Sequence, residues 1–325
     1  MTNNDLSVIM PNYNYGQHIA EALESVLSQS FPAGEIIVLD DGSTDDSVSI
    51  VQNYMKKHPN IRLLRNDSNM GLNYTLNRGL HEAKGEYFYA ASSDDIVLPG
   101  FFERSMDMLN KYPQAGLCFC DWASLEKGRT IENRAYLSDK PVYFDPDEFE
   151  KILLRNEYTV IGGSTVIKKR AALIEAGGYL PELKAASDIF AHHVICFRHG
   201  ACYIPEVFTL MRRHENQYSS KKFRPLDVEL GMVRFAMDTV MSPGYEDVLP
   251  RFKRTAPFSH SSWDVLKLVL GTKKYRGFFS LKLLRYALFD RFIRRLIIGL
   301  LPMDLWRNVL GLYRKLRFRL TGGRT

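Results

Sequence analysis

Glu35-Ile-Ile-Val-Leu-Asp-Asp-Gly-Ser-Thr-Asp45 is the stretch on which the fold turns. Its first half is an apolar run, too short for a helix of ordinary length and suited to a strand. The run stops abruptly at Asp40-Asp41-Gly42-Ser43, where Gly42 permits a tight turn. Thr44 or Asp45 can then cap a helix that carries Val48, Val51, Tyr54 and Met55 at helical spacing.

The same strand–turn–helix unit recurs on both sides. Upstream, Leu6–Met10 ends at Pro11, and His18–Ser28 follows with Ile19, Leu23, Val26 and Leu27 on one helical face. Downstream come a strand at Ile61–Leu64, a helix at Leu72–Ala83, and a strand at Tyr87–Ala90 that runs into Ser92-Ser-Asp-Asp95. This rhythm predicts a mostly parallel central sheet with helices on both faces. Phe101–Leu109 continues it as a helix and Gly116–Cys120 as a strand. Further on, Val160–Ile167 is apolar, Ala171–Ala176 is a short helix closed by Gly177-Gly178, and Asp188–His199 is a helix. Val207–Met211 is a strand leading to Arg212-Arg213-His214. Beyond residue 222 the alternation ends and the pattern becomes helical.

In a sheet of this kind ligands bind beyond the carboxyl ends of the strands. Asn12-Tyr13-Asn14, Asp40-Asp41 and Asp94-Asp95 each follow an apolar run and so converge on one crevice. Paired carboxylates such as Asp94 and Asp95 suit a hard divalent cation that bridges two phosphates. Alone, the pair also fits a solvated turn; beside a second acidic pair at the same crevice, the metal reading is favoured. Asp40 or Asp41 can accept hydrogen bonds from a base or a ribose. Asp188 opens an apolar helix, so it suits both an N-cap and a general base. His192 and His193 are adjacent and lack the spacing of a metal pair; they are expected to be structural or exposed. His18 and His81 are expected on helix surfaces.

Composition sets limits on the alternatives. With 325 residues, 45% of them hydrophobic and 25% charged, the chain can bury a large core, which excludes disorder as the default. The net charge of +6 is uneven: residues 251–325 hold 18 Lys and Arg against three Asp and Glu. A basic tail on an acidic body points to an anionic surface. Residues 264–320 interleave aromatic and aliphatic side chains with Arg and Lys, as in Phe289–Ile298 and Leu305–Phe318, which suits the interface of an anionic membrane; a packed helical subdomain is the competing reading. No nucleic-acid motif accompanies the charge, so nucleic acid is not an expected partner. Cys118, Cys120, Cys196 and Cys202 lack CxxC spacing and read as reduced, buried thiols. With no basic and apolar leader, the chain is expected in the cytoplasm, held peripherally at the membrane by its tail.

Four blocks now stand in order: Val8-Ile-Met-Pro-Asn-Tyr-Asn14, Glu35–Asp45, Gly71 with Asn77-Arg-Gly79, and Gly85-Glu-Tyr through Ser-Asp-Asp95. Their order and spacing resemble family 2 glycosyltransferases, inverting enzymes of the GT-A fold. The resemblance extends to about residue 220 through Gly177-Gly-Tyr179, Ala186-Ser-Asp188 and Arg212-Arg-His214. It implies a catalytic domain over residues 1–221, with the nucleotide-sugar part to about residue 120 and the acceptor part to residue 221. A helical basic region over 222–325 follows.

The resemblance also implies roles. Pro11, Asn12 and Tyr13, with Asp40 or Asp41, would meet the base and ribose. Asn77 and Ser93 would belong to the donor site. Asp94, with Asp95, would hold Mn2+ or Mg2+. Asp188 would be the general base, and His214 would approach the diphosphate or order the loop above it. Ser92 stands where the family has the first Asp of its Asp-x-Asp motif, and Leu76 where it often has Arg; Arg78 would point elsewhere on the helix. The expected donor is a nucleoside-diphosphate sugar, with a UDP-sugar foremost, and the expected acceptor is a saccharide or a lipid-linked saccharide in polysaccharide or lipopolysaccharide synthesis. Self-association stays open. Two other readings compete: a nucleotidyltransferase, which would want a cationic Gly-rich loop where this chain has Asn12-Tyr-Asn-Tyr-Gly16, and a non-catalytic binding relative.

Overall fold

The computed structural model describes residues 5–126, 128–155, 161–214, 225–257 and 262–289. The expected alternation forms as β1 (Leu6–Asn12), α1 (Gly16–Leu27), β2 (Glu35–Asp40), α2 (Ser47–Met55), β3 (Ile61–Arg65), α3 (Leu72–Glu82) and β4 (Tyr87–Ala90). β2 is buried from Ile36 to Asp40, as a strand covered on both faces must be. Parallel registers set Asn12 beside Asp40 and Asp40 beside Arg65, so the polar ends of three strands line up. Gly42 has φ of +77°, and a Cβ there would sit 2.9 Å from the Ser68 carbonyl carbon, so the turn after β2 requires glycine.

The second half comprises β5 (Ile96–Val97), α4 (Phe101–Lys111), β6 (Leu117–Glu126), β7 (Arg129–Asn133), β8 (Val142–Phe144), α5 (Pro146–Arg155), β9 (Val166–Lys169), α6 (Arg170–Glu175), α7 (Ser187–His199) and β10 (Ala201–Arg212). The sheet order is β3-β2-β1-β4-β9-β6-β10-β5, with β7 on β6 and β8 on β10. Pairing is parallel through β3-β2-β1-β4 and again between β10 and β6. β9 lies antiparallel to both β4 and β6, so the expectation of a mostly parallel sheet describes the first half best. β6 and β10 run well past the apolar stretches that announced them. Polar Asp121 continues β6 inside the protein because Tyr203 of β10 and the amide of Ala135 satisfy its carboxylate.

Alternate residues of the central strands feed two cores. Val8, Met10, Ile36 and Val38 meet α1, α2 and α4, while Ile9, Ile37 and Leu39 meet α3. The second core continues under α5, α6 and α7 and on into α8 (Leu226–Val240), α9 (Leu249–Thr255), α10 (Ser262–Gly271) and α11 (Leu281–Phe289). Ala236, Met237, Phe252, Val265, Val269, Leu283 and Ala287 are buried in the same cluster as Phe190 and Phe197 of α7. Arg251 and Arg254 both reach Glu150 of α5. Residues 264–289 of the stretch expected at a membrane bury part of their apolar surface against one another and against α8 and α9, in the cluster that also holds α5 and α7; residues 290–320 lie outside the described residues. Among the described residues, no helix is long and apolar enough to cross a membrane.

Candidate active site

The crevice lies beyond the carboxyl ends of β1, β2 and β4. Several of the residues expected there are committed to one another. The Nδ2 of buried Asn12 donates to Asp40 Oδ1 at 2.9 Å, to Ser47 Oγ at 2.9 Å and to Ser43 Oγ at 3.0 Å. Asp40 also accepts from Arg65 Nε at 3.3 Å. Asp41 holds the next loop: Oδ1 accepts from Asn66 Nδ2 and the Met70 amide, and Oδ2 from the Gly71 amide. Both carboxylates are buried and shape the loops around the crevice. Tyr13, at the tip of the β1 loop, is exposed and free to face a ligand's ring. The carbonyl of Pro11 accepts from Ser93 Oγ at 2.8 Å, which ties the ends of β1 and β4 together.

Asp94 and Asp95 are adjacent yet differ. Asp94 Oδ1 accepts from Ser92 Oγ at 2.6 Å, and its Oδ2 lies 2.9 Å from His214 Nε2. Ser92 therefore orients the carboxylate next to it. Asp95 accepts from the Arg212 amide at 3.0 Å through Oδ1 and from Ser164 Oγ at 2.9 Å through Oδ2. Burial first, and the charge of Asp94 second, push its carboxyl well above the ordinary range. Asp95 is thus bonded through both oxygens to Ser164 and the β10 backbone, whereas the oxygens of Asp94 meet two side chains, Ser92 and His214.

His18, expected on a helix surface, lies on α1 partly exposed and beside His214, with ring centroids 5.3 Å apart, and Tyr15 meets His214 edge-on at 5.8 Å. Burial, then the Arg212 guanidinium, hold the His18 imidazole below its usual value. The signal was available in Tyr15-Gly-Gln-His18, which directly follows the β1 loop.

Asp188 is not the cap of its helix. Ala186 takes that position, and Asp188 lies within the first turn of α7, where the helix dipole favours an anion. The residue keeps partial exposure, and its Oδ1 accepts from the Ile189 amide at 2.7 Å. Burial raises its carboxyl above the ordinary range, against the opposing pull of that amide and of Lys168. A Cβ placed on Gly163 would lie 3.0 Å from Asp188 Oδ2. Gly163 and Ser164 therefore form a short turn with Asp188 against one residue and Asp95 on the other.

Asn77 does not face the crevice as a donor contact. Its Nδ2 donates to the Tyr179 carbonyl at 2.7 Å and its Oδ1 accepts from the Tyr179 amide at 2.9 Å. One turn earlier on the same face of α3, Asn73 Nδ2 donates to the carbonyls of Leu180 and Lys184. The two asparagines fasten the segment that delivers Asp188, a function the sequence did not reveal because the acceptors are backbone atoms distant in the chain. Arg78, as expected, points elsewhere: it donates to the Arg65 carbonyl and to Asn66 Oδ1. His192 and His193 are buried rather than exposed.

Residues 7–173 match the family model for glycosyl transferase family 2, and the chain belongs to that family. Among curated relatives, an uncharacterized glycosyltransferase named YibD from Escherichia coli (strain K12) is 39% identical over 131 residues, covering 40% of this chain and 38% of the relative. A chondroitin synthase from Escherichia coli is 32% identical over 106 residues, covering 33% of this chain and 15% of the synthase. The matched region thus spans under half the length of these relatives.

Two solved structures share the fold. TarS 1-349 of S. aureus in complex with UDP-GlcNAc superposes with a TM-score of 0.65 at 21% identity, over 84% of this chain and 79% of TarS 1-349. The mannosyltransferase PcManGT from Pyrobaculum calidifontis, in complex with GDP-Man and Mn2+, gives 0.51 at 18% identity, over 89% of this chain and 87% of that one. The likeness confirms the GT-A-like α/β architecture, here with a helical C-terminal region.

Proposed function

We propose that the chain transfers a sugar from a nucleoside-diphosphate donor to a hydroxyl acceptor with inversion at the anomeric carbon, Asp188 acting as general base. The observation that carries this reading is the Gly163-Ser164 turn, in which Gly163 lies against the Asp188 carboxylate while Ser164 donates to Asp95. In the proposed step the acceptor oxygen forms a bond to the anomeric carbon as the bond from that carbon to the diphosphate breaks. The acceptor proton passes to an oxygen of Asp188, and the electron pair leaves with the nucleoside diphosphate. A carboxyl raised by burial is a stronger base than an ordinary aspartate, which suits proton uptake near neutrality.

One carboxylate and one imidazole, Asp94 and His214, fit a divalent cation that completes its shell with diphosphate oxygens. Among the described residues no group of three or more His, Cys, Asp and Glu could hold an ion alone. Bound there, Mn2+ or Mg2+ would neutralise charge on the leaving group. Tyr13 is proposed to meet the base, while Asn12, Asp40 and Asp41 act on the donor by fixing the loops that surround it. The UDP-GlcNAc held by TarS supports a uridine donor, and the GDP-Man held by PcManGT makes guanosine the competing base. A saccharide or lipid-linked saccharide is the proposed acceptor, a choice supported by the chondroitin synthase among the relatives.

The test compares wild type with Asp188→Asn, using UDP- and GDP-sugars with Mn2+ or Mg2+. The variant should keep the ligand-induced rise in unfolding midpoint, since ligand binds the native state. Transfer should fall by about 10²–10⁴, the usual contribution of a positioned base. Undiminished turnover in a folded variant would remove Asp188 from the role.

A further inference from the structure

We propose that Tyr15 and His18, at the start of α1, are positioning residues that seat the His214 imidazole against Asp94. The inference rests on the reading of Asp94 and His214 as donors to a cation, and adds to it the pair of rings that holds the second donor in place.

The place of His214 in the chain calls for such a seat. β10 ends at Arg212, and the Arg213 amide still donates to the Leu125 carbonyl, so His214 lies beyond the strand's ladder. Backbone position alone leaves a histidine several rotamers. The contact with Asp94 is one constraint on the ring, Oδ2 lying 2.9 Å from Nε2. The rings of α1 supply the others. His18 and His214 have centroids 5.3 Å apart and planes tilted by 40°. Tyr15 meets His214 at 5.8 Å and 79°, an edge-to-face arrangement. Tyr15 and His18 are themselves 6.5 Å apart, so the three rings close a triangle. Tilted and edge-on pairs at such separations are attractive.

The seat is firm because the first turn of α1 is firm. Tyr15 takes the N-cap position, and its carbonyl accepts from the amides of His18 and Ile19, each at 2.9 Å. Side chains three apart on a helix are neighbours, which brings the two rings to one side. Between them the Gly16 amide donates to Asp45 Oδ2 at 2.8 Å, and a Cβ on Gly16 would lie 2.0 Å from Asp46 Oδ1. The turn is thus packed directly on the loop after β2.

One turn further along α1, Glu21 accepts from Arg212 Nη2. Arg212 in turn donates through its amide to Asp95 and through Nε to the Asp94 carbonyl. The start of α1 therefore meets the end of β10 twice, by an ion pair at Arg212 and by ring packing at His214. The ion pair fixes the strand end, and the rings orient the imidazole that follows it.

The experiment uses the full chain and reads the Mn2+ concentration needed to raise the unfolding midpoint in the presence of UDP. In His18→Ala that requirement should rise by about three- to tenfold, the size of effect an aromatic pair contributes. An unchanged requirement, where His214→Ala raises it, would overturn the proposal. His18→Phe restores a ring without nitrogens and should recover most of the loss. A loss as large as that of His18→Ala would put an imidazole nitrogen on the ligand, which also overturns the seat. Adding His18→Ala to His214→Ala should cost nothing further, because His18 acts through His214; additive losses would refute that route. A second measurement needs neither metal nor donor. In the unliganded protein, at one pH, the ring-proton resonance of His214 is assigned by its loss in His214→Ala. It should move in both His18→Ala and Tyr15→Ala as a neighbouring ring current disappears, and an unmoved resonance would show that the rings do not meet. If His214→Ala itself leaves the Mn2+ requirement unchanged, the cation reading fails instead, and the resonance still decides whether the seat exists.

Discussion

His214 Nε2 lies 2.9 Å from Asp94 Oδ2, joining residues 120 apart in sequence. The contact closes the crevice where the ends of β4 and β10 meet. Arg212 reinforces it from the same strand, its amide donating to Asp95 and its Nε to the Asp94 carbonyl. An acidic loop is thereby held by one strand end through backbone and side chain alike, with the imidazole left at the mouth.

The first expectation concerns that imidazole. His214→Ala leaves the Asp94 carboxylate with Ser92 as its side-chain hydrogen-bond partner among the described residues and removes one of the two donors proposed for a cation. Loss even of an outer-shell partner typically weakens metal binding by about 10–100-fold, so loss of a direct donor should cost at least about tenfold. The measurement is the Mn2+ concentration needed to raise the unfolding midpoint in the presence of UDP. An unchanged requirement would place the cation elsewhere.

Asn77 offers a test of the fastening of the Asp188 segment. Asn77→Ala deletes both hydrogen bonds to the Tyr179 backbone and strands a buried carbonyl and amide. The expected cost is about 2–4 kcal/mol in urea unfolding, from two lost bonds and their desolvated partners. Turnover should fall further than stability alone explains, because the loosened segment carries the base. Asn77→Asp, which keeps one of the two bonds, should lie between.

The first half of the sheet was legible because β1, β2 and β4 are apolar runs and because β1, β2 and β3 are each followed by a helix with one apolar face. β6 and β10 were legible only in part. Asp121 interrupts the apolar pattern of β6, and its partners, Tyr203 and the Ala135 amide, are not its neighbours in sequence. The donor site divided in the same way. Asp94 and His214 could be named from motifs, whereas the engagement of Asp95, Asn12 and Asn77 by the fold depends on contacts made across the sheet. The basic tail was legible only as a pair of readings, because helices that pack in a subdomain and helices that lie on a membrane share the same amphipathic pattern; α10 and α11 bury part of theirs in the core.

Asp121 supplies a prediction about pH. Burial pushes its carboxyl up to about 6, despite hydrogen bonds from Tyr203 and the Ala135 amide. The folded state thus binds the proton more tightly than the unfolded chain does. Stability from this group is fully present below the unfolded value near 4 and is lost as the pH rises through about 6. Asp121→Asn should abolish that loss and make the protein more stable than wild type at pH 8 by about 1–3 kcal/mol. Urea unfolding at pH 5 and pH 8 measures the difference; equal pH dependence in the two proteins would show that the carboxylate is stable in its buried site.

Gly163 provides the sharpest probe of the turn between the two carboxylate sites. Its backbone is not in the left-handed region, so alanine is conformationally allowed, and the added methyl would meet Asp188 Oδ2 at 3.0 Å. That separation is tight enough that the carboxylate must shift by a few tenths of an ångström, while among the described residues only Asp188 atoms lie within 4 Å of the added methyl. Gly163→Ala should therefore keep or slightly raise the melting temperature, because alanine restricts the unfolded chain. Turnover should fall by about tenfold or more, since catalysis depends steeply on the placement of the reacting groups. Donor binding, read from the thermal shift with UDP and Mn2+, should be unaltered, because Ser164 still holds Asp95. A variant that loses donor binding along with turnover would mean that the turn supports the acidic loop rather than the base, whereas one with full turnover would detach Asp188 from the chemistry assigned to it.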